Sequence, residues 1–356
     1  MIKRILERSK TIFKFAIKLV AVLLALTALY SFNLFMMKPF SVDHFLSKEL
    51  ILDLIESPEE LTYVGILDRF DWITKHNSKL SIPQDDDIDN DIKQIEKVIK
   101  TLYKYDDSRL SDIQKSTKKI AIFDYENQLK ELKDFPYLDY PLNQIGGIHL
   151  NTIEFMNSVH PIRSDSEAIA FIKRTDLIKD VYQGVLNHLK KQADNGIYPP
   201  EFVYGHVINQ LDEFINVVNT EHPLYKQFML KIKKLELSND QVDYLEKEIT
   251  RSINESVTPG FKLLRNFMAN TKKNANPNHG IWSQPGGDEY YKLKIRTFTT
   301  TDYSPEEIHQ MGLNEVKRIS SRMREILTSL GYAESKSVGE LMNELNENPD
   351  FLYADT

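Results

Sequence analysis

The sequence predicts a mainly α-helical protein, with at most a short strand or hairpin near 289–301, preceded by an N-terminal transmembrane helix. Three observations predict it. Glycine is scarce, 13 in 356 residues, which disfavours barrels, sandwiches and Gly-rich nucleotide loops. Apolar residues recur at helical spacing through most of the chain, and several of these stretches open with helix-capping residues. A run of 19 residues, Leu19 to Met37, holds no charge.

That run comes first in the chain. At a helical rise of about 1.5 Å per residue it spans the hydrocarbon core of a bilayer. Lys3, Arg4, Arg8, Lys10, Lys14 and Lys18 precede it, whereas only Lys38 and Lys48 follow closely. The positive-inside rule then places a basic tail, 1–18, in the cytoplasm and the body on the extracytoplasmic side. Tyr30, Phe32 and Phe35 suit the far interface. A cleaved signal peptide is the rival reading, but the run exceeds a typical signal core and no A-x-A pattern follows it. The lipid bilayer is therefore an expected partner of residues 19–37.

Helix signals fill the remaining body, 41–356. Ser57-Pro58-Glu59-Glu60 forms a capping box ahead of Leu61, Val64 and Leu67. Residues 92–105 and 109–134 alternate apolar and charged positions with a helical period. Ser166 to Lys191, Pro200 to Asn219, Pro223 to Leu235 and Asp240 to Met268 do likewise, with Thr258-Pro259 kinking or breaking the last. Ser304-Pro305-Glu306-Glu307 opens a helix that Gly331 closes, and Ser337 with Glu340 opens one more. Two stretches are not helical, Asp134 to Gly147 and Asn274 to Thr301. The alternation over Tyr290 to Thr301 predicts a short strand.

Charge and composition narrow the function. Residues 1–40 carry seven Lys/Arg and one acid; the rest carries 38 basic and 51 acidic side chains, a net of −13. An acidic body gives no footprint for nucleic acid. The absence of cysteine excludes disulfides, thiolate metal sites, a cysteine nucleophile and an acylated-cysteine anchor.

Catalytic constellations are sparse. None of the nine histidines is followed by Glu, and no two stand four apart, so the H-E-x-x-H arrangement of a zinc peptidase is missing. Asp85, Asp87, Asp89, Ile92 and Glu96 fall on calcium-loop spacing. Asn90 occupies the place that wants Gly, so an acidic helix N-terminus is the simpler reading. No G-x-S-x-G elbow exists. No catalytic or metal residue is therefore assigned. Gly286 and Gly287 read as a turn or as a close approach to a ligand, and Tyr290 and Tyr291 beyond them as candidate cleft residues.

Several separate stretches nevertheless fit one pattern. Asp139-Tyr140-Pro141-Leu142-Asn143-Gln144 with Gly146-Gly147 is the first, and Asn195-Gly196-Ile197-Tyr198-Pro199-Pro200 the second. Val257-Thr258-Pro259-Gly260-Phe261 follows, and then Gly280-Ile281-Trp282 through Pro285-Gly286-Gly287-Asp288-Glu289-Tyr290-Tyr291. Arg296, Thr299-Thr300-Thr301, Ser304 to His309, Gly312-Leu313 and Glu315-Val316 continue it. Together they resemble the bacterial family catalogued as domain of unknown function 885, across about residues 50–356.

The resemblance implies a helical fold similar to the thermolysin-like (gluzincin) zinc peptidases. In that family a histidine- and glutamate-bearing helix, C-terminal to the matched region, would hold zinc and activate water. This sequence stops at Asp355-Thr356 before such a helix. The resemblance therefore implies a membrane-anchored N-terminal part of a zinc metallopeptidase-like protein, inactive alone, with zinc only in a full-length member. Its expected partners are a peptide substrate or a separate C-terminal catalytic half. A non-catalytic helical domain that binds peptides or a partner at the membrane is the alternative.

Overall fold

A computed structural model describes residues 2–353. Met1 and residues 354–356, on which the start of the basic tail and the expected stop at Asp355-Thr356 fall, lie outside the described residues. The helices are α1 (Ile2–Met36), α2 (Val42–Glu56), α3 (Pro58–Val64), α4 (Asp71–Thr74), α5 (Asp87–Leu102), α6 (Asp112–Asp134), α7 (Ile148–Glu154) and α8 (Asp165–Asp176). They continue with α9 (Ile178–Asp194), α10 (Glu201–Asn216), α11 (Pro223–Ile232), α12 (Asn239–Ser252) and α13 (Thr258–Thr271). The last are α14 (Gly287–Thr299), α15 (Pro305–Ser329) and α16 (Val338–Glu347). No strand occurs among the described residues; Pro200 and Asn276 form an isolated parallel bridge. The fold class is therefore mainly α. The chain divides into two compact units, 1–287 and 288–356.

In the first unit, α1 runs through both the basic segment and the apolar run. From Phe13 to Met36 it is long and apolar enough to cross a membrane, and of that stretch only Asn33, near its end, is buried. Its passage into the body is fixed by polar contacts. The Asn33 side-chain amide donates to the Lys38 carbonyl and its oxygen accepts from the Phe40 N–H, both at 2.9 Å. Tyr30 Oη meets His44 Nδ1 at 2.6 Å, so the start of α2 lies against the end of α1. Ser41 caps α2. Val42 and Phe45 on α2 then pack with Val98, Leu102 and Tyr105 in a small core under the α5–α6 pair.

The main core lies among α8 to α13. Phe171, Tyr182, Val207, Phe228, Ile249 and Phe261 are all buried there. Phe261 stacks on Phe214 with ring centres 4.8 Å apart and planes 3° from parallel, a geometry that adds to plain area burial.

Two expectations need correction. The strand predicted over 290–301 is helix, α14. Leu293 and Ile295 are both buried, which produces the period-2 pattern, but Tyr290, Leu293 and Thr297 also fit one helical face. The Pro-Gly-Gly turn before α14, with Asp288 and Glu289 in its first turn, favours a helix start. The helix expected from Ser166 to Lys191 is two helices that change course at Leu177. Ser256, eighty residues on, bridges the break: its hydroxyl accepts from the Lys179 N–H at 3.0 Å and donates to the Asp176 carbonyl at 2.8 Å. The interruption foreseen at Thr258-Pro259 is a π-helical turn, Ile253–Val257, running into α13.

In the second unit, full capping boxes at Ser304 and Ser337 open α15 and α16, and Gly331 adopts φ +89° after α15. Leu327 and Leu341 are buried, while Val316, Ile319, Ile326 and Leu330 leave an apolar stripe exposed along α15 and its C-cap, at steps of three, seven and four residues.

Candidate functional site

A cavity of about 530 Å3 lies in the first unit, among α2, α5, α6, α9 and the loop after α6. Five carboxylates line it, from Glu49, Asp53, Asp91, Glu131 and Asp139, with the imidazole of His188 and an apolar wall that includes Tyr125, Leu132 and Phe135. Glu49 and Asp53 share a face of α2 because they are four residues apart. Asp91, Gln94, Ile95 and Val98 face the same space at helical spacing along α5.

Glu49 is 4% exposed and held by Lys48 at 2.6 Å and by the Gln94 side-chain amide at 2.8 Å. Burial, then the charges of Glu49 and Glu56, push the Asp53 carboxyl up. Burial, then Asp87, Glu56 and Asp53, push Asp91 up. Burial, then the charges of Asp53, Glu49 and Asp124, raise the Tyr125 phenol. The site penalises its own negative charge, so a positively charged group entering it would relieve mutual repulsion.

Asp139 and His188 close one end. Their Oδ1 and Nε2 atoms are 2.7 Å apart, and the Tyr137 ring lies 5.6 Å from the imidazole. The Gln192 amide donates to the carbonyls of Tyr137 and Asp139 and to Asp139 Oδ1, which fixes the loop. A second cavity of about 300 Å3, bounded by Pro83, Gly184 and Lys191, shares Ile88, Asp139 and His188 with the first. A carboxylate-oriented imidazole is a proton-transfer unit only with a reacting group in reach. Among the described residues no three His, Asp or Glu side chains converge as a metal site. The lining therefore suits an organic cation with an apolar stem.

The motif residues divide by role. In the first stretch, Asn143 Oδ1 accepts from the N–H groups of Ile145 and Gly146, forming the turn. A Cβ on Gly147 would lie 2.6 Å from the Asn143 carbonyl. Only Asp139 of that stretch reaches the cavity. In the second, Tyr198 exchanges hydrogen bonds with the Gln284 side chain, and the Pro199 carbonyl accepts from Asn276. These motifs therefore tie the segment 195–200 to 276–284.

Of the four sequence-based candidates, Gly286 has φ +73°, and a Cβ added there would meet the ring of Phe135, which lines the cavity, at 3.5 Å. Gly287 is packed on Ile281, where an added Cβ would sit 1.8 Å from the carbonyl oxygen. Tyr290 and Tyr291 stand on the first turns of α14 in the second unit, with Tyr291 exposed. A Gly287→Ala variant is expected to lose about 1–3 kcal/mol through this clash. Gly312→Ala, in open space on a helix, should instead gain about 0.5–1 kcal/mol. Thermal unfolding followed by circular dichroism checks both signs.

Glu49, Asp53, Asp91, Tyr125 and His188 were not singled out by sequence reasoning. One signal existed: Asp53 interrupts the apolar run Leu50-Ile51-Leu52 to Leu54-Ile55, where a carboxylate is costly without a purpose.

An all-helical body behind an apolar helix long enough to cross a bilayer defines the class of protein. Residues 58–356 match the family described as a bacterial protein of unknown function (DUF885), and the chain belongs to it. The fold is similar to that of a putative lipoprotein from Colwellia psychrerythraea, with a TM-score of 0.72 and 23% identity. The match covers 87% of this chain and 56% of that one. A putative lipoprotein of unknown function from Shewanella oneidensis is similar at a TM-score of 0.51 and 11% identity, over 76% of this chain and 48% of that one. The chain thus spans about half the length of these solved structures. No curated protein matches the sequence.

Proposed function

We propose that this chain is the membrane-tethered N-terminal part of a metallopeptidase-like protein, one that holds a polypeptide ligand and performs no chemistry by itself. The observation that carries the reading is the cavity, with its five carboxylates and aromatic-apolar wall in about 530 Å3. A Lys or Arg side chain, or a peptide N-terminus, brings the cation and apolar stem that such a lining favours. Zinc and its activated water would come from polypeptide outside the matched residues 58–356. Tyr290 and Tyr291 would meet the substrate through their rings, because α14 offers no edge for backbone pairing. With no cysteine to acylate, the tether would be α1, crossing the cytoplasmic membrane once with the body outside.

Titration of the full chain in detergent with short Lys-bearing and Glu-bearing peptides tests this. The Lys-bearing peptide should bind, and Asp53→Asn with Asp91→Asn should weaken it at least about tenfold. Equal binding of both peptides, or indifference to the two substitutions, would refute the reading.

A second reading is a non-catalytic partner-binding domain. The exposed stripe Val316, Ile319, Ile326 and Leu330 on α15 favours it, since an apolar seam of that spacing is suited to another helix. A monodisperse chain that stays intact under limited proteolysis would support it over a peptidase part awaiting its other half.

A further inference from the structure

The segment from Tyr63 to Lys75 has two unlike sides. On its inner side Asp68 meets His76 Nε2 at 3.3 Å and Arg163 at 2.7 Å. Asp71 meets His76 Nδ1 at 3.1 Å and accepts from the Asn77 N–H at 2.9 Å. Thr62 donates to Asn77 Oδ1 at 2.9 Å and accepts from the buried guanidinium of Arg174. Gly65, at φ +66°, turns the chain out of α3, and Lys75, at φ +52°, turns it back. Both acids of the segment are thus held inward, and the segment cannot roll over without breaking this staple.

The outer side is what remains. Tyr63, Val64, Ile66, Phe70, Trp72 and Ile73 are 50–75% exposed within eleven residues. The charged side chains left outside are Arg69 and Lys75, both basic and exposed. Scattered apolar exposure is ordinary, but a contiguous aromatic and aliphatic tip carrying only positive charge is not. The tip begins in the last turn of α3, and a single 15-residue helix, α2, stands between α1 and α3.

We propose that Tyr63–Lys75 is a second membrane contact, a wedge whose apolar tip enters the bilayer interface while Arg69 and Lys75 meet anionic headgroups. Trp, Tyr and Phe mixed with aliphatics prefer that depth. Basic residues beside an apolar tip gain from anionic lipid. Shallow insertion at this point would hold the body at the membrane at two places instead of swinging on α1 alone, and would fix which way its cavity faces.

The proposal rests on α1 being a bilayer anchor, and the test separates the two. Trp72 and Trp282 are the only tryptophans, so Trp282→Phe leaves Trp72 as the sole reporter. The full chain carrying Trp282→Phe is reconstituted into nanodiscs of phosphatidylcholine and phosphatidylglycerol, with or without 6,7-dibrominated acyl chains. Insertion should quench Trp72 emission roughly twofold in brominated discs, and less in discs without phosphatidylglycerol. Ile66→Glu with Ile73→Glu should abolish the quenching while the chain stays in the disc. A disc-bound chain whose Trp72 is unquenched overturns the proposal, whether that residue is open to acrylamide or shielded by another protein surface. A chain that fails to enter discs at all overturns the anchor reading instead.

Discussion

Replacing Arg174 by Met is expected to cost the full chain about 3–5 kcal/mol, seen as a melting-temperature drop on the order of 10 °C. Arg174 is fully buried on α8, yet none of its hydrogen bonds among the described residues goes to a carboxylate. Its Nε donates to the Lys79 carbonyl at 2.7 Å, and its NH1 to His160 Nδ1 at 2.9 Å. Its NH2 donates to Thr62 Oγ1 at 2.9 Å and to the His76 carbonyl. The Phe155 ring lies 5.0 Å away. Burial pushes its pKa down to about 10, partly opposed by Glu59 and Asp71, so it remains charged at neutral pH. The neutral replacement removes that desolvation cost, which sets an upper limit on the loss. It also orphans four acceptors, each costing about 1–3 kcal/mol if unpaired and dry. The orphaned acceptors outweigh the relief because they belong to three separate segments that the guanidinium fork holds at once. Arg174→Lys keeps the charge without the fork and should recover less than half the loss. A Lys variant as stable as the native chain would show that charge alone, and not the branched donor set, holds 58–79 to α8.

Much of the fold was open to sequence reasoning because capping is local. Ser304 with Glu307 and Ser337 with Glu340 mark the starts of α15 and α16, and both form full capping boxes. Ser57 was weaker evidence than it looked. It caps α3 by accepting from the Glu60 N–H, but its own N–H donates to the Asp53 carbonyl at the end of α2, so the Glu60 side chain does not close the box. The break at Leu177 was invisible because its cause is Ser256, supplied by a distant π-helical turn. Tyr290 to Thr299 failed for another reason. Both periods fit ten residues, and the burial of both Leu293 and Ile295 gave the alternation.

The cavity was less accessible than the fold. Its acids come from α2, α5, α6 and the loop at Asp139, segments that only tertiary packing brings together. The motif Asp139 to Gly147 contributes Asp139 to the lining, although most of it builds a turn. Gly286 stands behind the cavity wall through Phe135, while Tyr290 and Tyr291 belong to the second unit.

Acidification from pH 7 to pH 4 should destabilise the first unit by about 3 kcal/mol through His222 alone. His222 is 1% exposed and caps α11, its Nδ1 accepting from the Leu224 N–H at 3.2 Å. The proton of the neutral ring must then sit on Nε2, which has no partner among the described residues. Burial pushes its pKa down from 6.5 to about 4. The unfolded chain therefore binds a proton from about pH 6.5 downward, while the folded chain refuses it until about pH 4. Stability is full above the unfolded value and is lost progressively across that window. His149, lowered by burial against an opposing bond from Gln210, acts with the same sign. So does His160, held well down by burial and then by the Arg174 and Lys231 cations. Asp53 and Asp91 act oppositely. Their folded pKa values are raised, so protonation at low pH relieves them, but both are partly solvated and their effect is screened. His222→Asn keeps a capping oxygen without a titrating group. Urea unfolding at a series of pH values should show that variant losing markedly less stability between pH 6.5 and 4 than the native chain. Parallel curves would mean that protonation elsewhere governs acid unfolding, and that the buried His222 ring is silent.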